Sequence, residues 1–215
     1  MMRENELIML PIEEYVGVDH DDPIRQYNKP VFGKLYRRRV ELCLEQCSGG
    51  SRILEVGYGT GVSFMNLSRK YDEIYGIDLK SNASQVADLF ASKGLKVALR
   101  QGDLLALPYQ DNFFDTVLLI SILEHLQPAQ LEKAFREIQR VLRPGGQMVY
   151  GVPVESSFTR VGFLMLGYDI RKHHFSTEKQ ILSAARKRLS PKRVLNLYFP
   201  LIKQKVYEVG DFTKE

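Results

Sequence analysis

The chain has 215 residues, of which 44% are hydrophobic and 26% charged, with a formal net charge of +4. That length suits one domain, and the composition excludes a mainly disordered, collagen-like or low-complexity chain. The longest uncharged apolar stretches, near 117–123 and 161–166, fall far short of the about 20 residues that a membrane-crossing helix needs.

Residues 1–30 are polar and turn-rich, broken at Asp21-Asp22-Pro23, and read as an irregular lead-in or lid. The first residues carry acids and lead into no long apolar run, which is unlike a secretion signal. Val31 to Cys47 carries a helical apolar stripe, ended by Ser48-Gly49-Gly50-Ser51. Two cysteines, Cys43 and Cys47, are too few for a disulfide framework, so a cytoplasmic location is expected. They read as small apolar residues on a buried helix face, and with no Cys/His pair nearby no metal site is expected.

Arg52–Gly57 is a short buried strand with a sharp glycine stop. Val62–Lys70 reads as a helix, and Glu73–Asp78 as a second strand ending in an acid. Asn82–Lys93 is helical and closed by Gly94, a residue suited to the left-handed turn after a helix. Lys96–Arg100 is a third strand. Phe114–Ser121, nearly continuous in apolar residues, is a fourth with both faces covered. A helix opens at Gln127-Pro128 and runs to about Leu142, Arg143-Pro144-Gly145-Gly146 is a turn, and Gln147–Val152 is the fifth strand. This alternation predicts a doubly wound α/β sheet of parallel strands. A variable stretch (154–175), a helix (Thr177–Leu189) and two strands, Lys192–Phe199 and Ile202–Val209, follow. The last two are separated by two residues and are expected to pair antiparallel.

Charge is uneven along the chain. Residues 1–24 hold seven acids and one base, whereas 171–205 hold ten bases and one acid, Glu178. The basic end is either a solvated face or a surface for an anionic partner.

The chemistry points to Glu55-Val56-Gly57-Tyr58-Gly59-Thr60-Gly61, between the first strand and its helix. Alternate glycines let a ligand lie against bare main chain, with the next helix directing its free N–H groups there. In open parallel sheets, ligands bind at the carboxyl ends of the strands. The spacing is G-x-G-x-G, which is neither the dinucleotide fingerprint nor a phosphate-binding G-x-x-x-x-G-K-[ST] loop. Glu55 would oppose a pyrophosphate and suit a ligand with an ammonium group. Asp78, 21 residues after Gly57, can accept from both hydroxyls of a ribose. Asp103 can accept from an adenine amine, with Leu79, Leu104 and Ile120 as apolar walls.

These motifs resemble the class I S-adenosylmethionine-dependent methyltransferases, in particular the branch of quinone-biosynthesis and other small-molecule enzymes. The resemblance covers roughly residues 50–153. It rests on Ile53–Gly61, Gly76-Ile77-Asp78, Gly102–Tyr109, Phe113-Phe114-Asp115, Leu123-Glu124-His125-Leu126 and Val141–Gly146. It implies a Rossmann-like seven-stranded sheet, mostly parallel, completed by the C-terminal antiparallel pair. It implies one domain over 1–215: lead-in and helix (1–48), cofactor-binding core (49–153), substrate cover (154–175) and C-terminal helix and strands (176–215). The implied cofactor is S-adenosyl-L-methionine. Glu55, Gly57, Tyr58, Gly59 and Gly61 would surround its methionine part. Asp78 would hold the ribose, Asp103 and Leu104 the adenine with Leu79 as a wall of its ring, and Ile120 and Ser121 would border the site. Tyr58 departs from the small residue usual there, but its main chain can serve.

The family reaction is an in-line displacement at a methyl carbon, in which the protein mainly aligns the reactants and excludes water. His125, past the fourth strand, is the candidate catalytic base, or else a helix-start residue bonded to backbone. His173 and His174 face either the acceptor or solvent. The fourth strand ends Ile120-Ser121-Ile122-Leu123, without the Asn/Asp-Pro-Pro-aromatic turn of enzymes that methylate the amino groups of nucleic-acid bases. The apolar run Val161–Tyr168 either points to a small-molecule or lipid-like acceptor, with peripheral membrane contact helped by the basic end, or is a lid packing its own apolar face on the core. The alternatives are an RNA or protein methyltransferase using that basic end, or a non-catalytic cofactor-binding subunit. A nicotinamide-dependent reductase fits poorly, because the G-x-G-x-G spacing is wrong for the dinucleotide fingerprint.

Overall fold

The computed structural model describes residues 6–17, 23–30, 32–154, 174–199 and 203–215. In chain order the elements are α1 (Phe32–Gln46), β1 (Gly50–Val56), α2 (Phe64–Leu67), β2 (Tyr71–Asp78), α3 (Ala83–Ser92), β3 (Val97–Gln101), β4 (Phe114–Ile120), α4 (Pro128–Val141), β5 (Leu142–Pro153), α5 (Glu178–Arg186), β6 (Ser190–Phe199) and β7 (Gln204–Thr213). The strands form one sheet in the order β3-β2-β1-β4-β5-β7-β6. The pairs among β1–β5 are parallel, and β7 runs antiparallel to both β5 and β6. This is the expected doubly wound, mostly parallel seven-stranded sheet.

Strand alternation makes two cores, one on each face of the sheet. Ile53, Leu118 and Val149 face α1 and α3, packing with Val40, Cys43, Phe64, Val86 and Phe90. Leu54, Val117, Leu119 and Met148 face α4 and α5, packing with Phe135, Ile138 and Ile181. The helices supply matching stripes. On α4, Leu131, Ala134, Phe135, Ile138 and Val141 recur at helical spacing and are buried. That helix starts at Pro128, and Gln130 Oε1 accepts from the main-chain N–H of Gln127 at 2.8 Å. Asn82 caps α3 by accepting from Gln85 N–H, and Gly94 beyond its end has φ +78°. The Cys43 and Cys47 thiols are buried, and burial pushes Cys47 up to about 12.

Two expectations are corrected. The helix expected over 62–70 is only Phe64–Leu67, because the glycine loop folds into it through tight turns: Gly61 N–H donates to Tyr58 O and Phe64 N–H to Gly61 O. Those N–H groups are therefore not free to face a ligand, and the cradle is the loop itself. The turn expected at 143–146 lies within β5 as a looped-out irregularity. Phe114 pairs with Leu142 but Thr116 pairs with Gln147, and Gly145 N–H donates to Lys214 O.

The lead-in is a strap across the carboxyl-end side of the sheet. Ile8 N–H donates to Asn66 Oδ1 at 2.9 Å. Gly17 O accepts from Asn82 N–H at 2.8 Å and from Ser81 Oγ at 3.1 Å. Among the described residues, no helix is long and apolar enough to cross a membrane. Val161–Tyr168 and His173 lie outside the described residues.

Candidate functional site

The carboxyl ends of β1, β2 and β4 meet at the glycine loop. Gly57, Gly59 and Gly61 have φ of +72°, +52° and +76°, a region that side chains with a Cβ rarely occupy. A Cβ on Gly57 would lie 2.0 Å from Ile122 Cδ1, so Ile122, just past β4, seals one wall of the loop. Gly57 N–H donates to Ile77 O at 2.7 Å and Gly102 N–H to Asp78 O at 2.9 Å, tying the three loops together.

Glu55, the penultimate residue of β1, is only 3% exposed. Its carboxylate accepts from Ser63 Oγ, and burial pushes the carboxyl up to about 8, against the lowering effect of Ser63. Asp78 is set by the main chain. One carboxylate oxygen accepts from Gly59 N–H at 3.0 Å, the other from Lys80 and Ser81 N–H at 2.8 and 2.9 Å. Three of its roughly four lone-pair positions are thus taken by the main chain.

Tyr58 is buried, but its ring does not line the crevice. It fills the notch over Gly76 of β2, where a Cβ would lie 2.6 Å from Tyr58 Cδ1, and it packs on Phe64 with ring centroids 5.8 Å apart. The large residue in the loop is accommodated by a glycine on the neighbouring strand. Leu79 is 63% exposed, as a side chain poised to wall a planar ring would be. Asp103 is exposed, and its carboxylate accepts from Leu105 N–H at 2.8 Å. Leu104 is buried in the core beneath α4.

Beyond β4 the character changes. Ile120 ends the strand half-buried. Ser121 has φ +58°, a strained conformation for a serine. Its N–H donates to Gly151 O, and its Oγ lies 2.9 Å from Tyr207 Oη, so the side chain turns toward β7. Residues 123–125 form a single 3-10 turn. It carries buried Glu124, 2% exposed, and exposed His125. Burial pushes the Glu124 carboxyl up to about 8, opposed by a main-chain hydrogen bond and by Arg39. The Arg39 guanidinium lies 3.9 Å from the Tyr36 ring centroid and 5.3 Å from that of Tyr207. His174 faces His125, with ring centroids 5.3 Å apart.

The expected cofactor residues Glu55, Gly57, Gly59, Gly61, Asp78, Leu79 and Asp103 are thus brought to one crevice, and His125 lies at its β4 end. Ser63, Ser81 and Ile122 also shape the crevice. In the sequence nothing marks them but nearness to a motif: Ser63 to the glycine loop, Ser81 to Asp78 and Ile122 to Leu123–Leu126. Arg39 and Tyr207 reach the β4 end from α1 and β7, and no local motif announces them.

A family model described as a methyltransferase domain matches residues 54–150. Over 116 residues the chain is 36% identical to a demethylmenaquinone methyltransferase of Thermus thermophilus, covering 53% of this chain and 51% of the relative. Over 101 residues it is 39% identical to ajmaline N-methyltransferase of Rauvolfia serpentina, covering 45% and 34%. The chain thus spans about half or less of the length of these curated relatives. Among solved structures, it resembles the N-methyltransferase NodS of Bradyrhizobium japonicum WM9 in complex with S-adenosyl-l-homocysteine. That likeness has a TM-score of 0.69 at 18% identity, covering 94% of this chain and 96% of the other.

Proposed function

Residues 54–150 belong to the class I S-adenosylmethionine-dependent methyltransferases, and on that premise we propose that this protein transfers a methyl group to a small-molecule acceptor. The observation that carries the reading is the Glu55 carboxylate, buried beside a loop of left-handed glycines. A buried carboxylate is costly unless a cation or hydrogen bonds compensate it, and Ser63 supplies one bond. A ligand ammonium would restore its ionised form.

The residues present fit the cofactor. The Gly57–Gly61 loop, with left-handed glycines at 57, 59 and 61 and no room for a Cβ at 57 or 61, offers bare main chain to a ligand. The hydrogen-bond acceptors of the crevice are carboxylate-rich, which suits a ligand that donates through an ammonium, ribose hydroxyls and an exocyclic amine. Bound there, S-adenosylmethionine supplies a methyl group on a positively charged sulfur. Glu55 balances the ammonium. Asp78, pre-set by three main-chain N–H groups, orients the ribose, and Asp103 and Leu79 receive the adenine. Ile122 and the strap excluding water on either side of the loop keep the reactants aligned. His125 is the side chain that meets the acceptor. Strong catalytic groups are not required, because alignment and exclusion of water supply most of the effect.

The test is a transfer assay with methyl-labelled cofactor against extract fractions of small metabolites, lipids, protein and RNA. Label entering the small-metabolite fraction supports the reading. Label entering only RNA or protein, or entering nothing, contradicts it.

A further inference from the structure

One cluster beside the crevice is not accounted for by the cofactor. Glu124, His125 and His174 each offer a ligand atom, and these atoms all lie within 4.8 Å of one another. The arrangement is built rather than accidental. Phe175 N–H and Ser176 N–H donate to the Glu124 carbonyl at 2.8 and 3.2 Å, and Ser176 Oγ donates to Leu126 O at 2.7 Å. These bonds clamp the start of the α5 segment against the turn after β4, and so hold His174 opposite the Glu124-His125 pair.

An independent observation points to a missing ligand. Glu124 is 2% exposed, and its Oε2 is buried without a hydrogen-bond partner. Buried charged groups in proteins are paired or coordinate metals, and an orphaned one calls for an explanation. The pocket around it is otherwise furnished. Arg39 faces Glu124 from α1, but its guanidinium is engaged over the rings of Tyr36 and Tyr207.

We propose that Glu124, His125 and His174 bind a first-row divalent metal ion at the acceptor end of the crevice. Two imidazole nitrogens and one carboxylate oxygen suit Zn, Mn, Fe, Co or Ni, whereas Mg and Ca prefer all-oxygen sets. Three donors at about 2.1 Å from an ion sit roughly 3.4 Å apart, so the site needs to close by no more than about 1.4 Å on binding. Three protein ligands also leave coordination positions open, the pattern of catalytic rather than structural sites. The turn begins next to Ile122, whose side chain touches Gly57, so those positions neighbour the glycine loop. The acceptor class this favours carries an oxygen able to coordinate the ion, a hydroxyl, enol or carboxylate. The ion's role toward the acceptor rests on the methyl-transfer reading. Its binding does not.

The experiment is a Co(II) titration of the chelator-treated chain, free of any affinity tag, followed by visible absorption, with Zn(II) and Mn(II) as calorimetric competitors. One equivalent of saturable Co(II) with nitrogen-ligand bands is expected, displaced by Zn(II). His174→Ala and His125→Ala should each weaken it at least ten-fold, and Glu124→Gln likewise. S-adenosylmethionine titrations of the same variants report whether the fold and crevice survive. Variants that still bind the cofactor but lose Co(II) support the site. Absence of one-to-one binding, or affinity unchanged in both histidine variants, overturns it. Failure of the chain to bind S-adenosylmethionine would count against the methyl-transfer reading and leave the metal result standing.

Discussion

The two ends of the crevice are built on different terms. At the β1–β2 end, the acids are held by the chain itself: Asp78 by three main-chain N–H groups, Asp103 by Leu105 N–H, Glu55 by Ser63. At the β4 end, Ser121 is strained, Glu124 Oε2 has no partner and Arg39 Nε is buried without one. On the proposed function, the first end is set in advance for the cofactor. The second leaves strain and polar groups in place for something that arrives with the acceptor. The contrast means that substitutions at the first end should act on cofactor binding, and those at the second on what the cofactor is used for.

The largest effect is expected from Gly57→Val. Its φ of +72° and the Ile122 contact oppose any side chain, and a β-branched one most. The change should destabilise the protein by about 2–4 kcal/mol and abolish cofactor binding, read by denaturant melts and calorimetry. A variant that still bound the cofactor would break the comparison at its firmest point. Asp78→Ala is expected to weaken cofactor binding by about 1–3 kcal/mol through lost charged hydrogen bonds. It also frees three main-chain donors, so Asp78→Asn separates binding from folding. An unchanged dissociation constant would remove Asp78 from the ribose site.

Glu55→Gln sharpens the comparison through pH. The folded carboxyl, raised by burial to about 8 from an ordinary value of 4.5, binds protons more tightly than the unfolded one. Its contribution to stability is therefore full below pH 4.5 and is lost as pH rises toward 8. Without cofactor, the melting temperature of the native chain should fall relative to Glu55→Gln across that window. Cofactor affinity of the native chain should rise with pH over the same range, because the ammonium needs the ionised acid. Parallel melting curves for the two proteins would contradict this. The smallest effect is expected from Ser121→Ala. It removes the bond to Tyr207 and costs about 1 kcal/mol of stability with cofactor affinity unchanged. A matching loss of cofactor affinity would place Ser121 in the cofactor site after all.

Much of the β1–β2 end was legible because its chemistry is local. A strand, a run of alternate glycines and an acid at the next strand's end specify ligand geometry within about 25 residues, and the sheet order follows from parallel crossovers. The reading faltered where one residue's fate depends on a distant one. Tyr58 looked like a departure from the loop's usual small residue until Gly76 was seen beneath it. Leu104 reads as a ring wall, yet the 3-10 turn over 104–106 directs its side chain into the core under α4. The short α2 could not be foreseen from apolar spacing, because turns borrowed from the glycine loop consume its first N–H groups. At the β4 end, Glu124-His125 stood in a recognisable motif, but the third member, His174, lies 49 residues on and is brought in by main-chain bonds that no periodicity encodes.

The most direct measurement is a calorimetric titration of the chain with S-adenosylmethionine at pH 6 and pH 8.5, with NADH as control. One equivalent bound, tighter at the higher pH, with no heat from NADH, is the predicted result. Tight NADH binding with no heat from S-adenosylmethionine would contradict it.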